Sequence, residues 1–165
     1  QRLAHLEIRP PTGIEKLIGK LLGRSALSYS KDARLVRRRY PMAFALGALI
    51  FLVLGIVGVA EPEDPAPWLT GALAGAAAYG VVLASRLQKK PIELPRLTPT
   101  LPIAPAAVGR AKVAWVIGWW LIFIAIPGVF AVLRQPEPVP FVALLGGATA
   151  VVLAAAIVFS RQRAS

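Results

Sequence analysis

The chain has 165 residues, of which 56% are hydrophobic, and its formal net charge is +11 at pH 7. Its mean hydropathy of +0.64 is higher than a water-soluble domain usually reaches, because such a domain must cover its surface with polar groups. The chain has no cysteine, which excludes disulfides, thiolate metal sites and cysteine nucleophiles.

Residues 1–40 are predicted to form a basic tail that contains a short amphipathic helix at 12–24. Thr12 and Glu15 have the spacing of a capping box, in which each side chain bonds the backbone amide of the other residue. The apolar residues that follow recur at steps of three and four, as on one helix face: Ile14, Leu17, Ile18, Leu21 and Leu22. We expect this face to lie in the membrane interface or on a partner, although packing on the protein's own loops is the alternative.

The tail ends in a basic and aromatic cluster directly before the first apolar block: Arg37, Arg38, Arg39 and Tyr40. Arginine side chains at this depth extend towards lipid phosphates, and tyrosine is common at the membrane interface. We therefore assign this cluster to membrane anchoring.

Four apolar blocks follow, and each is long enough, or nearly so, to cross the hydrocarbon core, which takes about 20 residues. Within them, Lys112 at the edge of the third is the only Asp, Glu, Lys, Arg or His. The sequence predicts an all-α integral membrane protein with four transmembrane helices in two hairpins. The blocks are 41–60, 67–85, 111–133 and 139–159; the hairpins span 41–86 and 111–160, with a proline-rich linker at 87–110 and a basic end at 161–165.

The distribution of charge predicts the orientation. Of the 19 Lys and Arg residues, 18 lie in the tail, the central linker and the C-terminal end, whereas Arg134 alone lies in an outer turn. The positive-inside rule places both termini on the cytoplasmic side of a bacterial inner membrane or the equivalent side of an organellar membrane. Anionic lipids account for the basic surface, and no interleaved aromatic pattern indicates nucleic-acid binding.

The central linker and the two outer turns carry further patterns. Prolines at 91, 95, 99, 102 and 105 forbid a helix and favour an extended linker, whose leucines and isoleucines indicate contact with a partner protein or with the chain's own helices. The two outer turns are both proline-rich, and each hairpin ends in Ser-Arg. This similarity is that of a duplicated hairpin, whose halves would be parallel repeats about an axis along the membrane normal, but the alternative is the general resemblance between any two apolar hairpins.

Glycines and tryptophans are the distinctive residues of the apolar blocks. Small residues let membrane helices approach closely, so we assign five glycines to helix packing: Gly71, Gly75, Gly80, Gly146 and Gly147. The third block contains Trp115, Trp119 and Trp120, which we expect to face lipid or else to contact a bound lipid, quinone or pigment. Pro127 should kink the same block near its outer end.

No catalytic, cofactor-binding or metal-ligating residues are assigned. Intramembrane chemistry needs ionisable or metal-binding groups, and the polar side chains well inside the blocks are Thr70, Tyr79, Thr149 and the tryptophans. The chain is therefore predicted to be a non-enzymatic accessory subunit in a hetero-oligomeric membrane complex, such as a respiratory or photosynthetic one. The alternatives are a small oligomeric transporter or channel, and an assembly factor for other membrane proteins.

Overall fold

The computed structural model describes residues 20, 22–23, 26–60, 62–87 and 105–161. This part of the chain is helical apart from short turns. Its elements are α1 (Ala26–Arg39), α2 (Pro41–Ala60), α3 (Ala66–Arg86), α4 (Pro105–Trp120), a π-helical segment (Leu121–Ala125), α5 (Ile126–Leu133) and α6 (Val139–Arg161).

Four helical stretches are long and apolar enough to cross a membrane: Pro41–Ala60, Ala66–Arg86, Ala106–Leu133 and Val139–Ser160. They coincide with the four blocks predicted from the sequence, and they make the chain an all-helical, multi-pass candidate membrane protein. Each helical residue adds about 1.5 Å, so the 20 residues of the first span reach about 30 Å, the thickness of the hydrocarbon core. The third span, which α4, the π-helical segment and α5 form together, is longer, with 28 residues.

The third span begins earlier than the sequence pattern indicates. The proline spacing predicts an extended linker through residue 110, but α4 starts at Pro105. Proline is favoured at the first position of a helix because its missing N–H has no intrahelical acceptor there, and alanines 106 and 107 then propagate the helix. The remaining prolines of the linker lie outside the described residues.

The spans form a ring in which α2 contacts α3, α3 contacts α6, and the third span contacts both α6 and α2. Spans that run in the same direction are neighbours. Trp119 and Phe130 of the third span lie beside Ala43 and Gly58 of α2, respectively. Likewise Gly80 of α3 lies beside Val152 of α6. The proposed sequence duplication stays a prediction.

The two ends of the bundle differ in charge among the described residues. We call one the basic end, because it carries Arg38, Arg86 and Arg110, and the other the acidic end, because it carries Glu63 and Asp64 in the turn before α3. The charge pattern predicts that the basic end faces the cytoplasm.

Helix α1 packs across the basic end, mainly on α4. Ser28, Asp32 and Val36 recur every four residues and are fully buried, whereas Arg34 and Arg38 are exposed. Burial raises the pKa of the Tyr29 hydroxyl on the same helix. The three arginines assigned to membrane anchoring are thus the last residues of a helix that has one face against the bundle and another carrying exposed arginine.

The predicted amphipathic helix at 12–24 lies largely outside the described residues, as do Ile14, Leu17, Ile18 and Leu21. Of that segment the structure describes Lys20, Leu22 and Gly23. The φ angle of Gly23 is +50°, in the left-handed region that suits the residue ending a helix.

Candidate functional site: an apolar groove and a small-residue helix face

The three tryptophans of the third span lie inside the bundle, so the expectation that they face lipid is wrong. Their side chains are at most 5% exposed, and they belong to one core cluster with residues of all four spans. The indole N–H of Trp119 donates to the carbonyl of Ala43 at 3.0 Å, and that of Trp120 donates to Thr149 Oγ1 at 3.1 Å. These bonds give the indole N–H groups of Trp119 and Trp120 an acceptor where water is absent. Their burial is favourable for that reason.

The hydroxyl groups of Thr70 and Thr149 form hydrogen bonds within their own helices, whereas the ring of Tyr79 packs on an aromatic neighbour. Thr70 Oγ1 donates to the carbonyl of Ala66, one turn back in its own helix. Thr149 Oγ1 donates to the carbonyl of Leu145 while accepting from Trp120. Tyr79 packs its ring on Trp119, with 5.7 Å between ring centroids. Both threonine hydroxyls therefore donate to a carbonyl of their own helix.

The glycines assigned to helix packing fall into two groups. Gly80 lies in a helix contact, since a Cβ built on it would stand 2.8 Å from a methyl of Val152. The other four are exposed, and among the described residues no atom comes within 4 Å of a Cβ built on Gly71, Gly75, Gly146 or Gly147. Their assignment to helix packing stays a prediction; their helix faces point away from the bundle, so these four glycines do not pack the described spans on one another.

Two glycines that the sequence pattern did not single out make the close contacts of α2. A Cβ on Gly47 would stand 2.9 Å from the Phe123 ring, and one on Gly58 would stand 2.7 Å from the Phe130 ring. Each glycine lies opposite an aromatic residue of the third span. The glycines and the aromatic residues are visible in the sequence. The sequence alone does not show that they face each other, because it does not show that α2 adjoins the third span.

Helix α6 presents a face made of small residues to the outside of the bundle. We call it the α6 small-residue face, and its members recur at steps of four, three and four: Ala143, Gly147, Ala150 and Ala154. All four are exposed, with Gly146 beside them. In a bilayer such a face is shallow enough for the backbone of a second helix to approach closely.

A second outward-facing feature is an apolar groove of about 640 Å³ between α2 and α3, called the α2–α3 groove below. On the α3 side the lining includes Gly71 and Gly75, which have no side chain, and Ala78, which has only a methyl group. Trp68 lies at the acidic end of the lining and Val82 towards the basic end. The α2 wall consists of Leu46, Leu49, Ile50 and Val53.

Buried charged groups occur only near the basic end of the described chain. Lys112 is 2% exposed, and its ammonium donates to the carbonyl of Leu87 at 2.7 Å. That carbonyl belongs to the C-cap residue directly after α3, where the helix dipole favours a cation. Asp32 of α1 is also fully buried. Sequence reasoning treated Lys112 as a border residue and did not single out Asp32.

The predicted anchoring cluster at the end of α1 is described in part. Arg38 is exposed, and Tyr40 is half-buried and packs on the core cluster. The side chains of Arg37 and Arg39 lie outside the described set. At the opposite end, the guanidinium of Arg134 lies over the Phe130 ring, 5.3 Å from its centroid.

Within the described residues there is no group of three or more His, Cys, Asp or Glu side chains that could hold a metal ion. Comparison with protein-family models, with curated proteins and with solved structures finds no match for this chain.

Proposed function

We propose that this chain is a non-catalytic structural subunit of a larger membrane protein complex, and that it holds a neighbouring subunit through the α6 small-residue face. The observation that carries the proposal is the exposure of that face. Gly147 and Ala150 lie at mid-span, and the chain's own packing leaves them uncovered among the described residues. Lipid supplies no hydrophobic drive for helix association, so close packing of small residues is the main attraction available between spans.

The interior of the bundle supports a structural role rather than transport. Large side chains of the core cluster, including Leu54, Leu73 and Trp120, are less than 2% exposed. A transporter needs polar groups along a path, whereas Thr70 and Thr149 each donate to the backbone of their own helix. A transient assembly factor would use the same outer face, and stoichiometry separates it from a permanent subunit.

The test is recovery of the partner with an affinity-tagged chain, expressed in its native host and extracted in mild detergent. Gly147→Leu places a bulky side chain on the face, and the matched control Gly55→Leu makes the same change on α2, where no described atom lies within 4 Å of an added Cβ. Overpacking costs about 1–3 kcal/mol, so we expect roughly 5- to 150-fold weaker association for Gly147→Leu and little change for Gly55→Leu.

The hydroxyl variants Thr70→Val, Tyr79→Phe and Thr149→Val test the transporter alternative in the same assay. Hydrogen bonds in membrane proteins contribute about 0.6 kcal/mol on average, so a structural subunit should keep its partner in all three variants. Equal recovery with Gly147→Leu and Gly55→Leu would contradict docking on α6. A homo-oligomer without a second protein would favour the transporter, and substoichiometric recovery would favour the assembly factor.

A further inference from the structure

The α2–α3 groove follows one face of α3 from one end of the span towards the other. Trp68 and Val82 are separated by 14 residues, a rise of about 21 Å along the helix axis. Arg86 comes four residues after Val82, so it lies on the same face one turn beyond the groove, and it is exposed. The groove therefore leads to a guanidinium at the basic end of the bundle.

The charges at the two ends of the groove are opposite. Glu63 and Asp64 are exposed in the turn that precedes α3, beside the end that Trp68 lines. An anionic group is repelled at that end and attracted to Arg86 at the other. Arginine matches the geometry of a phosphate because its planar guanidinium can donate two parallel hydrogen bonds.

The size of the groove suits a thin apolar chain better than a helix. A helix about 10 Å in diameter and 21 Å long occupies roughly 1,600 Å³, so less than half of such a helix would lie within the groove volume of about 640 Å³. The floor is open at Gly71 and Gly75 among the described residues, and leucines 46 and 49 of α2 form one wall. A flexible acyl chain can lie along such a narrow apolar groove. In a bilayer the groove is surrounded by hydrocarbon and not by water.

We propose that the α2–α3 groove binds one acyl chain of an anionic phospholipid whose phosphate lies on the Arg86 guanidinium. The lipid belongs to the leaflet at the basic end, where the charge pattern predicts the cytoplasm. It covers a part of the span that the described helices leave open. The proposal is independent of docking on α6, because it concerns another face of the bundle.

The first experiment measures lipid retention by the purified full chain in mild detergent. Phosphatidylglycerol is added, and the lipid-bound fraction is read by native mass spectrometry. Gly75→Leu fills the floor of the groove, and the control Gly146→Leu adds the same side chain at an equally open glycine of α6, outside the groove. We expect one lipid per wild-type chain and per Gly146→Leu chain, and at least tenfold less with Gly75→Leu. Equal retention by the two variants would overturn the proposal.

The second experiment tests the head group. Arg86→Gln should lower the preference for phosphatidylglycerol over phosphatidylethanolamine by about fivefold, the equivalent of about 1 kcal/mol for one basic residue at an anionic membrane surface. Arg110→Gln is the control, because Arg110 is also exposed at the basic end but lies on α4. An unchanged preference in Arg86→Gln, or an equal loss in Arg110→Gln, would contradict the assigned position of the phosphate.

A partner helix in the groove is the competing outcome. If Gly75→Leu lowers recovery of a partner protein while the phospholipid stays bound, the groove is a protein interface and the lipid proposal is wrong. Thermal unfolding of each variant in detergent shows that it is folded. Gly71→Leu, which fills the groove nearer its acidic end, should reproduce the loss of lipid if the groove is the site.

Discussion

The tryptophans show what residue spacing predicts in a membrane helix and what it leaves open. Steps of four place Trp115, Trp119 and Phe123 on one face of the third span, but the whole span is apolar, so the sequence does not distinguish the face that meets protein from the face that meets lipid. The structure turns the tryptophans inward, where Trp119 and Trp120 find acceptors on α2 and α6. Both acceptors come from other spans, which is why the third span alone did not predict them.

The exposure of the four tryptophans gives a fluorescence prediction. Trp68 is 58% exposed, whereas Trp115, Trp119 and Trp120 are at most 5% exposed. In vesicles that contain lipids with brominated acyl chains, we expect quenching to act mainly on Trp68. Trp68→Phe should therefore remove most of the quenched component and leave the emission of the buried tryptophans. Strong quenching that persists in Trp68→Phe would show that the other tryptophans reach lipid.

Two glycines of α3 make a matched pair for stability. Gly80→Leu forces a side chain against Val152, where an added Cβ already stands 2.8 Å from a methyl, whereas Gly75→Leu points into open space. We expect Gly80→Leu to lower the free energy of unfolding by about 1–3 kcal/mol. Gly75→Leu should be neutral or slightly stabilising, because leucine has a higher helix propensity than glycine. Unfolding titrations in mixed detergent micelles measure both; equal effects would contradict the assigned packing of α3 on α6.

At the scale of the helix, α1 and the end of α3 are linked to α4 at the basic end. Lys112 of α4 donates to the carbonyl of Leu87, and Asp32 is buried on the face of α1 that packs on the bundle. The sequence pattern emphasised the arginines of this region and predicted anchoring. It missed the helix interface, because a stripe of Ser28, Asp32 and Val36 has no uniform hydrophobic signature.

The Lys112 contact can be tested with a variant that keeps the length of the side chain. Lys112→Met leaves the Leu87 carbonyl without its charged donor, and hydrogen bonds to charged groups contribute about 1.5–3 kcal/mol. We expect a loss of stability of that size. Arg110→Met is the control, because Arg110 is exposed two residues away and should change stability by less than about 0.5 kcal/mol. Equal stability of the two variants would mean that this bond contributes little.

The third span also shows how a proline is accommodated. Pro127 removes a backbone donor and predicts a kink, and in the structure the π-helical segment Leu121–Ala125 directly precedes it. There the amide of Ile126 donates to the carbonyl of Leu121, five residues back. A π segment is one of the local adjustments that make proline tolerable in a membrane helix. The sequence indicates the irregularity but not its hydrogen-bond pattern.

For the whole molecule, the number and positions of the spans follow from the sequence because length and hydrophobicity are enough to identify them. The neighbours of each span do not follow, since they depend on local fits such as Gly58 with Phe130. The sequence predicts which helix faces carry small residues. It does not predict which of these faces the chain uses for its own packing. The sequence does not predict the α2–α3 groove, because residues of two helices line it and neither helix alone contains the whole set of lining residues.

Topology is predicted from charge and is testable because the natural chain has no cysteine. Single cysteines at positions 30, 90 and 164 should react with a membrane-impermeant maleimide only from the cytoplasmic side, and one at position 64 only from the opposite side. Lys and Arg excess near the span ends sets this orientation. Labelling of position 90 from outside would refute the four-span arrangement, whereas inversion at all four positions would refute only the orientation.

The contact between α2 and the third span has a consequence for biosynthesis. When α2 has entered the membrane, the ribosome must still translate about 70 residues before the third span is complete. At roughly 5–20 residues per second this delay is about 4–14 s. During this delay, Gly47 and Gly58 have no contact with Phe123 and Phe130. The Ala43 carbonyl also lacks the hydrogen bond that the Trp119 indole donates to it in the complete protein. We therefore expect a chain truncated before α4, which lacks these contacts, to be degraded faster than the complete one.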